Sequence, residues 1–267
     1  MPQQPLRDWQ PAPTPAREAL NGQYVRLEPL DPARHGDDLW QALQGPDSDP
    51  LLWDYLPYGP FGQRADFDAW LSRHAASQDP LFFAVVEPGI GRAQGLLSYL
   101  NIATQHGSIE IGHICYGRVM QRSVQASEVI YLLARHAFAN GYRRLEWKCN
   151  NDNARSKRAA ERFGFSYEGL FRQHMVIKGR NRDTAWFSII DSEWPALAAG
   201  YERWLAADNF DAAGQQKQRL EARLSHQALV SKPNWYLQCS GLPLCCFLCC
   251  GFLSRLRLNR KSYPRLI

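Results

Sequence analysis

"VMQRSVQASEVIYLLARHAF", residues 119–138, reads as a polar turn feeding a helix, and it contains no glycine. The run before it, "IEIGHICYG" (109–117), reads as a strand, and Gly141 beyond it supplies a helix stop. A helix from about Ser127 to Asn140 is expected. A helix N-terminus presents unpaired backbone N–H groups and a partial positive charge, which suit phosphate oxygens. Glycine helps such a turn where φ must be positive. Valine cannot take positive φ cheaply, so a turn carrying Val124 is expected to stay at negative φ, with Arg122 and Ser123 adding side-chain donors. The bland alternative is a polar strand-to-helix connection.

Working outward, "QYVRLEPL" (23–30) alternates as a strand does. Asp31 then offers an N-cap with Pro32 at the first helical position, for a helix through about Gln44. A second helix is expected from Arg64 to Ala76. "LFFAVVE", "AQGLLSYLNI" and "SIEIGHICY" read as consecutive strands, with the Gly89–Gly91–Gly95 spacing marking a hairpin and not a dinucleotide fingerprint. After the quoted segment come strand "YRRLEWKCN", helix "NARSKRAAERFG", strand "SYEGLFRQHMVI", strand "TAWFSII" and a short helix around "EWPALAAGYERWLAA". The order βα, antiparallel run, βαβαββ predicts a mixed α+β fold with helices on both sides of one sheet.

Charge separates the ends from the middle. From Asp208 onward nine Lys and Arg face three Asp and Glu, whereas the first 207 residues carry 22 basic and 23 acidic side chains. A near-neutral body with a basic tail excludes a nucleic-acid reader, which concentrates cations on a working face. Cys115 and Cys149 sit in apolar runs and read as buried thiols of a reducing compartment. "MPQQPLRDWQPAPTP" lacks an apolar signal core, so a cytoplasmic body is the expectation. Residues 1–20 are expected to be a flexible Pro/Gln-rich arm, 21–207 the domain, and 208–267 an appended tail.

Gln121-x-x-Val124-x-Ala126 resembles the Q/R-x-x-G-x-G/A signature of the GCN5-related N-acetyltransferases, with Val124 where glycine is usual. Asn153, Ser156, Arg162 and Gly164–Phe165 match that family's N-x-x-A-x-x-x-Y-x-K-x-G-F helix, and "EIGH" (110–113) its central strand. "EGLFRQHMVIKGRNRDTAWFSIIDSEWP" resembles the closing hairpin of the branch with ribosomal-protein N-terminal acetyltransferases. The resemblance implies a central, largely antiparallel sheet of about six to seven strands. It implies acetyl-coenzyme A as co-substrate, no metal, and transfer to a primary amine. It puts the pyrophosphate on Gln121, Arg122, Ser123, Val124, Gln125, Ala126 and Ser127, a backbone donor for the thioester among Ile114, Cys115 and Tyr116, and the pantetheine arm against Asn150 and Asn153.

Glu110 and His113 are the candidate bases; in a regular strand they point to opposite faces unless a bulge re-aims His113. Ala160 stands where many relatives of this kind place the tyrosine that protonates the leaving thiolate, so Ser156, one turn earlier, is the nearest hydroxyl. Trp53, Tyr55 and Tyr58 in "WDYLPYGPF" are candidates for the acceptor wall; a packed loop burying its own aromatics is the alternative. Arg180, Arg182 and Asp183 read as a solvated turn or as contacts to a charged acceptor. The acceptor, a small amine or a protein N-terminus, is open, as is oligomeric state.

The tail begins with a polar segment expected to be helical, "AAGQQKQRLEARLSHQAL" (212–229). Residues 233–254 then carry no charge, and five cysteines crowd into "CSGLPLCCFLCC" (239–250). The length and cysteines suit a palmitoylated or spanning anchor, which Pro233, Gly241, Pro243 and Gly251 interrupt, and Cys245, Cys246, Cys249 and Cys250 offer a zinc site, though packed pairs amid Phe and Leu are not usual ligand knuckles. An idiosyncratic extension is favoured over a working anchor. Beside the transferase stand two other readings, a non-catalytic acyl-coenzyme A binder and a membrane-associated interaction protein.

Overall fold

The Asp31-Pro32 start signal opens a helix as expected: the Asp31 side chain accepts the Ala33 N–H, and α1 runs Pro32–Gln44. The computed structural model describes residue 6 and residues 9–220. Before α1 lie β1 (Leu20–Asn21) and β2 (Arg26–Pro29); after it come α2 (Arg64–Ala75), β3 (Leu81–Val86), β4 (Ala93–Ala103), β5 (Ser108–Tyr116) and α3 (Val124–Ala139). β6 (Arg144–Asn150), α4 (Ala154–Arg162), β7 (Ser166–Ile177), β8 (Arg180–Ile190) and α5 (Trp194–Leu205) complete the body. One eight-stranded sheet has the order β1-β2-β3-β4-β5-β6-β8-β7. It exceeds the expected six to seven because a two-residue strand, β1, pairs with β2 at Leu20 and Asn21.

Every neighbouring pair is antiparallel except β5 and β6. A parallel pair needs a long crossover, and α3 supplies it. Alternation then sorts the side chains. Phe83, Leu97, Tyr99, Ile109, Ile111, Leu145, Trp147, Phe187 and Ile189 bury one face against α3, α4 and α5. Phe82, Ala84, Val86, Leu96 and Cys115 bury the other against α1 and α2. That second core stops at β5. Farther along the same face, β6 and β8 carry Glu146, Lys148, Thr184, Trp186 and Ser188, so a polar floor opens beside the apolar half.

The body extends past both expected boundaries. Ala12 is buried and bonded to Thr104, the Tyr142 hydroxyl donates to the Pro13 carbonyl, and Arg17 reaches Ser77; residues 12–20 are therefore a strap, not a flexible arm. Phe210 and Leu220 join the core, and Trp204 Nε1 donates to Gln216 Oε1 at 2.9 Å. Residues 212–220 are not helical, because Asp211 and Asn209 tie them back in turns. The anchor and zinc readings fall on residues outside those described. Among the described residues no helix is long and apolar enough to cross a membrane.

Candidate active site

β5 breaks step halfway. Leu96 pairs with Cys115 and Ser98 with Gly112, so β5 carries one more residue than β4 between these pairs, and His113 takes φ +54°. This is a β-bulge. It re-aims His113 onto the Glu110 face, where its ring stacks on Tyr58 at 14° and 5.6 Å and packs 5.2 Å from Phe82. The Tyr58 hydroxyl lies 2.7 Å from His113 Nδ1. The two candidate bases therefore share one face, because the bulge re-aims His113.

On the other side, β5 and β6 stay paired only from Ser108–Arg144 to Glu110–Glu146. Beyond Glu110 the two strands part. Gly112, His113, Ile114, Cys115 and Tyr116 line one side of the splay and Lys148, Cys149 and Asn150 the other. Cys115 itself is sealed in the α1/α2 core, so its thiol is not available to the splay and only its backbone is. The Tyr116 hydroxyl is buried without a partner.

Glu110 is almost fully buried. Lys148 Nζ lies 2.9 Å and Asn101 Nδ2 2.7 Å from its Oε2, while Oε1 lies against Gly112, where a Cβ would sit 3.6 Å away. Burial raises its pKa, and the Lys148 charge and these bonds pull it partly back. Lys148 also pairs with Glu146 at 2.8 Å and stands 4.0 Å over the Trp186 ring. Burial pushes His113 down to about 4, aided by the charges of His74 and Arg182, so its imidazole is neutral at neutral pH.

The glycine-free turn departs from expectation in its dihedrals. Arg122, not Val124, takes the positive φ, at +60°. Val124 is instead the first residue of α3, which starts three positions earlier than expected because Ser123 caps it: Ser123 Oγ accepts the Ala126 N–H at 3.2 Å and donates to the Met120 carbonyl at 2.7 Å. Among the described residues the N–H groups of Arg122, Val124 and Gln125 have no acceptor. They form a small donor nest at a helix N-terminus. Gln121 spends its amide on the Tyr116 carbonyl at 3.2 Å. Ser127 is buried and its hydroxyl accepts from Arg162 Nη1 at 3.0 Å, which withdraws it from the ligand contacts expected of it.

Several other expected residues are committed elsewhere. Asn153 caps α4 by accepting the Ser156 N–H at 3.0 Å, and Asn150 Oδ1 accepts the Asp152 N–H at 2.9 Å, so only their amide NH2 groups remain. Ser156 Oγ accepts from Trp147 Nε1 at 3.0 Å, and its hydroxyl faces the Cys149 thiol. Ala160 is fully buried in the α4 side of the core. Trp53 is core as well, not acceptor wall: it is 1% exposed, donates to the Leu43 carbonyl and packs on Tyr58, Phe61 and Trp70. Tyr55 is exposed, and its hydroxyl reaches the Asp152 carbonyl at 3.4 Å across the mouth of the splay. Asp49–Arg155 at 3.5 Å and Lys178 Nζ to the Trp53 carbonyl at 2.8 Å fasten the same loop.

Lys148, Asn101 and Trp186 join the site without belonging to any motif of the sequence. A signal for Lys148 existed: in "RLEWKCN" Arg144, Glu146 and Lys148 alternate with Leu145, Trp147 and Cys149, which puts three charges on one strand face.

Known proteins resemble the chain in sequence and in fold. The model of the acetyltransferase (GNAT) domain matches residues 25–166. A GCN5-related N-acetyltransferase from Brucella melitensis is 50% identical, over 80% of this chain and 97% of that one, with a TM-score of 0.78. A probable acetyltransferase of the GNAT family from Chromobacterium violaceum ATCC 12472 is 42% identical over 73% and 98%, with a TM-score of 0.68. RimL, a ribosomal L7/L12 alpha-N-protein acetyltransferase, shares the fold at 20% identity over 65% and 94%, with a TM-score of 0.57. No curated protein matches the chain. The chain belongs to the GCN5-related N-acetyltransferase family, which uses acetyl-coenzyme A as co-substrate.

Proposed function

We propose that the protein transfers the acetyl group of acetyl-coenzyme A directly to a primary amine, both substrates being bound together. The observation that carries this reading is the presence, on and around one strand, of three features: the unheld N–H groups of Arg122, Val124 and Gln125, the β5–β6 splay, and Glu110 with His113 on one face of β5. The pyrophosphate takes the N–H groups of Arg122, Val124 and Gln125, with the Arg122 guanidinium beside them. The pantetheine arm follows the splay toward the amide groups of Asn150 and Asn153. A backbone N–H of the bulge, at Ile114 or Cys115, polarises the thioester carbonyl.

The amine nitrogen attacks the carbonyl carbon and gives up one proton; the C–S bond breaks and the thiolate takes one. Glu110, whose pKa burial raises, accepts the first proton through its Oε1 or a water. Neutral His113, held by Tyr58, orients the incoming amine. The Ser156 hydroxyl is the nearest donor to the thiolate. Juxtaposition alone supplies a large part of the rate. Calorimetric titration with acetyl-coenzyme A and desulfo-coenzyme A, followed by thiol release across an amine panel, tests the proposal. Micromolar binding with release on one class of amine is expected; no binding would overturn it.

Ala160 favours a second reading, a non-catalytic acyl-coenzyme A binder, because alanine has no proton to give. That reading predicts equal binding and no thiol release with any amine.

A further inference from the structure

We infer that the acceptor is an amine bearing a carboxylate, and that Arg182 receives that carboxylate; this rests on the acetyl-transfer reading above. Arg182 lies on β8 in the same alternation as Thr184, Trp186 and Ser188, so it stands on the polar floor and not on the core face of Ala185, Phe187 and Ile189. Thr184 pairs with Asn150, the last residue of β6, which puts Arg182 just past that strand's end, beside the open part of the splay.

Its charge is not balanced there. Every other cation of the floor has an acid: Arg144 holds Glu146 at 2.7 Å and Glu168 at 2.5 Å, and Lys148 holds Glu110 and Glu146. Arg182 is half-buried, its Nε donates to Thr184 Oγ1 at 3.1 Å, and among the described residues no carboxylate lies within ion-pair distance of it. Asp183, next in sequence, is turned away to the Gln173 N–H at 2.7 Å and Asn181 Nδ2 at 2.9 Å. Arg180 is exposed. A guanidinium stays charged when buried, and burying it without an acid costs free energy that a bidentate carboxylate would restore.

The neighbours complete a receptor. Thr184 Oγ1, which holds Arg182, also lies 3.0 Å from His174 Nδ1. Trp186 Nε1 is buried with no acceptor. Arg182 is near enough for its charge to be felt at both Glu110 and His113. An acceptor with its amine toward Glu110 and its carboxylate toward Arg182 meets a complementary charge at each end. A polyamine or polycationic sugar would place a second cation against Arg182 and is disfavoured.

A free amino acid and a peptide with an acidic residue after its N-terminal amine present the same chemistry, and the test separates them. Thiol release by the full chain at saturating acetyl-coenzyme A is measured with α-amino acids, their primary amides and their decarboxylated amines. Tripeptides differing only in Glu or Gln at the second position form the other arm. In one arm the carboxylate member is expected to exceed its neutral partner in kcat/KM by roughly 100-fold. Arg182→Gln collapses that preference, chiefly through KM, and Arg182→Lys restores part of it. A preference that survives Arg182→Gln, or equal use of carboxylate and amide by the wild type, overturns the inference while leaving acetyl transfer standing. Calorimetry of the acetyl-coenzyme A-loaded proteins with the same compounds judges the site without turnover. If amino acids and acidic peptides give equal heats with wild type and Arg182→Gln, the inference falls even where transfer itself has failed.

Discussion

The Tyr58 hydroxyl and His113 Nδ1, 55 residues apart in sequence, lie 2.7 Å from each other with their rings stacked. The contact joins the loop after α1 to the bulge of β5. It buries a histidine whose ring is neutral down to about 4, because burial and the His74 and Arg182 charges oppose protonation. An unfolded histidine protonates near about 6.5. Between those values the unfolded chain holds a proton that the folded one lacks. The stability that His113 contributes is therefore complete above the unfolded pKa and is lost as pH falls toward about 4. The ceiling on this loss is about 3 kcal/mol. Urea midpoints at pH 7 and pH 4.5 should fall more for wild type than for His113→Asn. Parallel losses would mean that the ring is not held neutral.

On the proposed mechanism, Glu110 and Lys148 set the acid limb of activity. Lys148, 2.9 Å away, opposes the upward push of burial on the carboxyl. Lys148→Met removes that opposition, so Glu110 takes its proton at higher pH and the acid limb of kcat/KM should move up by roughly one pH unit. Glu110→Gln should lower kcat by about 100-fold or more, with acetyl-coenzyme A affinity changed by less than about threefold. An unmoved limb in Lys148→Met would remove Glu110 from the proton path.

The fold was legible because its signals are local. Asp31-Pro32, the strand alternations and the Gly141 stop need only near neighbours, and the elements from β2 to α5 fall within a few residues of where they were expected. The site was legible only in outline. Glu110, His113 and the 121–126 turn came from the family resemblance, but the bulge that joins Glu110 to His113 lies in the register between β4 and β5, which periodicity in β5 alone cannot show. Trp53 looked like a pocket aromatic because burial is a tertiary property. Ser127 looked available because its partner, Arg162, lies 35 residues on. Long-range pairing, not local propensity, decided each miss.

Arg122 separates backbone strain from side-chain charge. A non-glycine residue at φ +60° costs about 1 kcal/mol or more. Arg122→Ala keeps the strain and loses the guanidinium; Arg122→Gly loses both. The glycine variant should be the more stable of the two by roughly 0.5–1 kcal/mol, and both should weaken acetyl-coenzyme A binding by a similar factor that shrinks with added salt. Val124→Gly, which restores the residue usual in this turn, should gain nothing, since Val124 already sits at the start of a capped helix. Tighter binding by Val124→Gly would show that the valine constrains the phosphate nest.

Glu128 and Gly22 form a second test, remote from the chemistry. The Glu128 carboxylate, on the first turns of α3, accepts the N–H groups of Gln23 at 2.7 Å, Tyr24 at 2.6 Å and Val25 at 2.8 Å. A Cβ at Gly22 would stand 2.5 Å from that carboxyl carbon, so the glycine is required by close approach and not by φ. Glu128→Ala orphans three donors and should cost about 2–4 kcal/mol. Gly22→Ala should cost about 1–3 kcal/mol by displacing the same carboxylate. The double variant should fall well short of the sum, because a clash with an absent side chain costs nothing. Thermal or urea unfolding of the four proteins measures the coupling directly. Full additivity would mean that the β1–β2 turn is not fastened through Glu128, and that the α3 N-terminus is positioned by Ser123 alone.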